Sequence, residues 1–189
     1  MSGNGFNGTI TNATYNTVSS VRTFDFDGNG DYILLGQPIS SSSNYTICAW
    51  VNAHTVTGNR NIVSSADTPL FISSGTLYAG VGGNYTLVSQ SSFPTGMWKY
   101  VSVTFNDSTN TMKLYVNGEL KNTNSTVTQT YTSQNTYIGS HFSGVPSSFW
   151  DGWISAVKIY SNELTSEQIL QNYNALKHVY KVKIPRSEE

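Results

Sequence analysis

The chain has 189 residues, only 11% of them charged, and a formal net charge of −1. Its Lys and Arg residues are scattered and form no basic stripe, which argues against nucleic acid as a partner, and no stretch is apolar for long enough to insert in a membrane. The length suits one domain with a two-layer core, and the lone Cys48 excludes an internal disulfide, so packing has to hold the fold.

Ser and Thr make up about a quarter of the residues and Asn about a tenth, which fits pleated strands with hydroxyl-rich surfaces and polar turns. Residues 1–22 read as a polar N-terminal segment with at most an edge strand near Gly8–Ile10 or Val21. The core is expected to begin at Thr23. Phe24 and Phe26 alternate with Asp25, and Gly28-Asn29-Gly30 turns the chain into a strand from Tyr32 to Leu35. Tyr45, Ile47, Ala49 and Val51 then line one side of a strand that carries Thr46, Cys48 and Trp50 on the other. Both sides are mostly apolar, so this strand should be central and covered on both faces, with Cys48 a small buried residue rather than a reactive thiol. Short strands are expected at about 61–65, 69–73, 76–81 and 85–89, and such regular spacing points to a sandwich or barrel.

The clearest stretch is 97–120. Val101, Val103 and Phe105 alternate with polar neighbours, as do Met112, Leu114 and Val116, and the polar run Asn106–Asn110 lies between them. The pattern predicts an antiparallel hairpin that buries six apolar side chains on one face. Asn117-Gly118 then turns the chain again, since a type I′ turn needs two residues that tolerate positive φ. Three neighbouring strands follow, 98–105, 111–116 and one from Glu119. Further on come a strand at Thr136–Gly139, a Gly/Ser-rich loop from Ser140 to Ser148, and a run from Trp150 to Tyr160 in which Ile154, Val157 and Ile159 break strict alternation, as a bulge would. Thr165 and Gln168 form a capping box for a helix over roughly 166–177, expected against an edge or end of the sheets. Residues 178–189 form a C-terminal tail with no role that the sequence reveals.

The ordered motifs FDFDGNGDYI, YTICAWV, GMWKYVSVTF, LYVNGEL, TYIGS and FWDGWISAVKIYSNELTSEQILQNY resemble the concanavalin A-like lectin/glucanase superfamily, in its laminin G-like branch, over about residues 23–177. Lys99-Tyr100 stands where His-His is commoner, and Trp150-Asp151 sits inside the penultimate motif. The resemblance implies an all-β jelly-roll sandwich of two antiparallel sheets with one short C-terminal helix. Laminin G-like modules of phage and virus structural proteins are similar in the segments flanking the sandwich.

Glycan-cleaving relatives need two carboxyl groups, about 5 Å apart in retaining enzymes. The chain has no E-x-D-x-E run, and Asp25 and Asp27 sit at a strand end without a third acid. His54, His141 and His178 are far apart in sequence, and neither a G-x-S-x-G elbow nor an H-E-x-x-H pair is present. A non-enzyme is therefore expected. The resemblance makes Asp27, Asp31 and Asp151 candidates for calcium on a sheet rim, while the ordinary reading has them capping turns through Asx hydrogen bonds. A helix-loop-helix calcium site is excluded, because position twelve of its loop would be Gly36. No cofactor other than calcium is implied.

Recognition of a glycan or a protein surface by rim loops remains the expectation. Tyr85, Phe142, Phe149 and Trp150 lie in or beside Gly/Ser/Asn-rich loops and are the candidate ligand platforms, with packing under their own loops as the alternative. Trp50, Trp98 and Trp153 are assigned to the core or its edge. The N-terminus reads as neither a secretory nor a membrane signal. The resulting expectation is an exterior decoration or attachment component of a virus or phage particle, touching other virion proteins. The alternative is an extracellular adhesion domain cut from a larger protein.

Overall fold

In the computed structural model, described for residues 7–142 and 145–180, the alternating segments form strands. β1 (Thr9–Thr11) and β2 (Thr14–Val18) precede β3 (Val21–Asp27), β4 (Tyr32–Leu34) and β5 (Tyr45–Ala53). β6 (Asn59–Ser64), β7 (Leu70–Ser73), β8 (Thr76–Val81) and β9 (Asn84–Gln90) run as a meander. Next come β10 (Lys99–Asn106), β11 (Thr111–Val116) and β12 (Glu119–Asn124). The short β13 (Tyr137–Ile138), β14 (His141–Phe142) and β15 (Pro146–Ser147) lead to β16 (Asp151–Tyr160) and the helix α1 (Ser166–Leu176).

Two seven-stranded antiparallel sheets face each other, with strand orders β1-β4-β13-β6-β7-β8-β9 and β12-β11-β10-β5-β16-β3-β2. The first and second sheets enclose one core of alternating side chains, the jelly-roll arrangement expected. Within it, Val101, Val103 and Phe105 stand opposite Val116, Leu114 and Met112 across the β10–β11 pair. The Asn117-Gly118 turn has positive φ at both residues (54° and 80°), as a type I′ turn requires. Asn117 also ties the turn to β10, its side-chain oxygen accepting from the Tyr100 N–H at 3.0 Å.

β5 is buried at every position. Tyr45, Ile47, Ala49, Val51 and Ala53 point between the sheets, while Cys48 and Trp50 point outward into a second cluster with Tyr100, Tyr115, Leu164, Ile169 and Tyr180. α1 thus lies on the outer face of the second sheet, not against an edge or end. Aromatic rings at outward positions of β5, β10 and β11 offer more apolar area than an edge would. Thr165 caps the helix as expected, its hydroxyl accepting from the Gln168 N–H at 3.3 Å while the Gln168 side chain accepts from the Thr165 N–H at 2.9 Å.

Ordered packing is present on both sides of residues 23–177. β1 and β2 are edge strands, one on each sheet, so the chain from Thr9 to Val18 is part of the body before Thr23. At the other end Tyr180 is buried and stacks on Trp50, with ring centroids 4.1 Å apart and planes 8° apart. Residues 181–189 of the expected tail lie outside the described residues. The expected irregularity of β16 is present as a register shift between Ser155 and Lys158, where Ala156 takes φ 46°. Among the described residues no helix is long and apolar enough to cross a membrane.

Candidate functional site

The period of two in β7 sends Leu70 and Ile72 inward and leaves Phe71 outside, stacked on Tyr78 of β8 at 5.5 Å. Beside Phe71, on the outer side of the first sheet, lies a shallow cleft of about 130 Å³ that Asn59, Asn61, Tyr85, His141 and Ser148 also line. Tyr85 on β9 is 37% exposed. Its hydroxyl donates to the Ala66 carbonyl at 3.0 Å, and its ring meets that of His141 edge-on at 5.7 Å. His141 Nδ1 is 2.8 Å from Ser64 Oγ. Burial holds the imidazole below its ordinary pKa, so the ring is neutral at pH 7 and offers the cleft hydrogen bonds without charge.

The loop after β15 is fastened to β6 by backbone carbonyls. The Asn61 N–H donates to the Ser148 oxygen at 3.0 Å, and an Arg60 guanidinium nitrogen donates to the Phe149 oxygen at 3.0 Å. Ser148 is thereby held at the cleft wall. The cleft is assembled from residues separated in sequence by up to 89 positions.

The predicted platforms divide. Tyr85 is in the cleft. Phe149 is half-buried beside it, with its carbonyl serving the Arg60 contact. Trp150 has to be withdrawn as a platform: it is 0% exposed and sits in the core between the sheets. Burying an indole stabilises the fold more than leaving it in a loop, and a place in β16's approach to the core was open to it. The side chain of Phe142 lies outside the described residues. Phe71, Asn59, Asn61 and His141 were missed by sequence reading. Only the outward register of Phe71 was legible, because the other three depend on which strands become neighbours.

The carboxylates expected to hold calcium are otherwise occupied. Asp27 accepts from the Asn29 N–H at 2.7 Å, an Asx turn, and Asp31 accepts from the Asp27 N–H at 2.8 Å. Burial first, and then the neighbouring Asp27 charge, push the Asp31 carboxyl above its ordinary pKa. Asp151 stands opposite Asp27 across β3 and β16, but its carboxylate lies 3.4 Å from His54 Nδ1. Among the described residues no group of three or more His, Cys, Asp or Glu side chains is arranged to hold a metal ion. The turn-capping reading accounts for the hydrogen bonds of Asp27 and Asp31.

Fold and cleft together define a jelly-roll sandwich with an aromatic, uncharged recess on an outer face and no carboxylate in its lining. The chain belongs to the concanavalin A-like lectin/glucanases superfamily, whose laminin G-like sequence profile matches residues 27–170. No curated protein matches it.

Among solved structures it is similar to the binding domain of Paraclostridial Mosquitocidal Protein 1, with TM-score 0.75 and 15% identity over 93% of this chain and 48% of that one. It is also similar to the receptor binding domain of botulinum neurotoxin C/D mosaic serotype, with TM-score 0.70 and 20% identity over 92% and 48%. A third is the botulinum neurotoxin serotype D ligand binding domain in complex with N-acetylneuraminic acid, with TM-score 0.70 and 22% identity over 92% and 47%. The chain spans about half the length of the solved chains it matches, and likeness at these identities is a likeness of fold.

Proposed function

We propose that the protein is a non-catalytic recognition module that binds glycan or protein at the cleft edged by Tyr85 and His141. The observation that carries this reading is the makeup of the cleft. Exposed Tyr85 stands beside Phe71, a neutral imidazole and two asparagine amides, and no acid is within the lining. Such a surface binds a ligand with one apolar face and several hydroxyls. It lacks the acid pair that glycoside hydrolysis needs. That similar solved chains are described as binding domains supports the reading.

A glycan array, followed by calorimetry on whatever binds, tests it. Tyr85→Ala should weaken binding about tenfold, the worth of one aromatic contact at roughly 1.4 kcal/mol. Binding should persist in a chelator, because Asp27 and Asp31 already cap their turn. Release of reducing ends from a bound oligosaccharide would overturn the non-catalytic part. Exterior display on a virus or phage particle belongs to the same proposal, since recognition needs a surface that meets the ligand. Mass spectrometry of purified particles checks that part.

A further inference from the structure

On the outer face of the second sheet, where α1 has ended, a groove of about 600 Å³ opens between the β2–β3 turn and residues 178–180. Its volume falls within the roughly 300–1,000 Å³ of small-molecule sites. The indoles of Trp98 and Trp153 lie along it, their centroids 6.2 Å apart and planes 29° apart, with Met97, 45% exposed, beside them. Trp98 also meets Tyr180 edge-on at 5.0 Å, which fixes the far wall.

Two polar groups in this lining have no hydrogen-bond partner among the described residues. Asn52 and Trp153 stand directly opposite each other in the β5–β16 pair, so their side chains leave the same face of the sheet. Asn52 is 4% exposed and its amide oxygen accepts no hydrogen bond, while the Trp153 indole N–H donates none. An acceptor and a donor thus lie side by side without satisfying each other, at a cost of about 1–3 kcal/mol each when buried. The rest of the lining adds the hydroxyls of Ser19 and Ser20 and the imidazole of His178, and among the described residues it includes no Asp, Glu, Lys or Arg. A charged ligand would find no carboxylate, ammonium or guanidinium partner there. A pyranose would find aromatic and thioether surface for its C–H face and both a donor and an acceptor for its hydroxyls.

We propose that this groove is a second binding site, separate from the Tyr85 cleft, and that it takes uncharged sugar rings, with Trp153 and Asn52 as the contacts that fix them. The proposal rests on the reading of the protein as a glycan-recognition module and adds a location and a ligand class to it. The test uses the full chain and a panel of lactose, maltotriose, cellotriose and chitotriose, with 3′-sialyllactose as the anionic counterpart. Indole N–H signals are followed by nuclear magnetic resonance, the Trp153 signal being identified by its loss in Trp153→Phe.

At least one neutral sugar should move the Trp153 signal. Trp153→Phe and Asn52→Leu should each weaken that sugar at least tenfold, and sialyllactose should bind no better than lactose. If Asn52→Leu does not fold, the signal shift and Trp153→Phe still decide. A panel that leaves the Trp153 signal still, or binding that Tyr85→Ala abolishes and the groove variants do not, overturns this site. The latter result would leave the cleft reading standing.

Discussion

Single residues hold this sandwich at points where no other side chain fits. Gly139, just after β13, has φ 83°, and a Cβ there would lie 2.3 Å from the ring of Phe26 in the core. Gly139→Ala adds left-handed strain to a clash that buried neighbours cannot relieve, so it should cost about 2–4 kcal/mol. A lowered urea midpoint at unchanged slope would show it. Asp31 acts in the opposite sense. Its folded pKa is raised, so the native state binds more protons than the unfolded chain between the ordinary carboxyl value and the raised one. Stability is fully present below the ordinary value and is lost as pH rises through the raised one. Asp31→Asn keeps an oxygen for the Asp27 N–H and removes the buried charge. It should therefore raise Tm at pH 7 and make no difference near pH 3, and melts at the two pH values decide. The raised pKa was invisible in the sequence, where Asp31 is one acid among several near a turn. Its depth in the fold creates the shift.

At the scale of elements, local chemistry reads well where it is self-contained. The Asn117-Gly118 turn, the β10–β11 hairpin and the Thr165–Gln168 capping box are all interactions between residues near in sequence, and all stand where the pattern puts them. Thr165→Ala should cost about 1 kcal/mol by removing the hydroxyl that satisfies a helix N–H. Because α1 covers Trp50 and Tyr100 through Ile169 and Tyr173, Thr165→Ala should, in native buffer, reduce the near-ultraviolet circular dichroism more than the far-ultraviolet signal of the sheets. Equal loss of both signals would argue against that role. The helix's location could not be read in the same way. Its sequence shows that a greasy side exists, not that outward aromatic residues from three strands have prepared a surface for it.

The described body should unfold as one cooperative unit, because strands far apart in sequence pair within both sheets. β1 pairs with β4 in the first sheet, β2 with β3 in the second, and β16 crosses from β3 to β5. Chemical unfolding should show one transition, with tryptophan fluorescence and far-ultraviolet circular dichroism coinciding. Refolding should take milliseconds to seconds, because most pairings join remote segments. Two resolved transitions would mean that the sheets unfold separately.

The sequence by itself determined most strand and turn positions, the double burial of β5, the single capped helix and the choice of a sandwich or barrel. Each follows from periodicity and turn chemistry within a few residues. Only the tertiary structure decided that Trp150 is core, that Asp27 and Asp31 cap a turn, and that Tyr85, His141 and Asn61 meet in one cleft. The physical reason is that a side chain's exposure, charge cost and neighbours are set by which distant strands pair, and a period of two is the same whichever partner it finds.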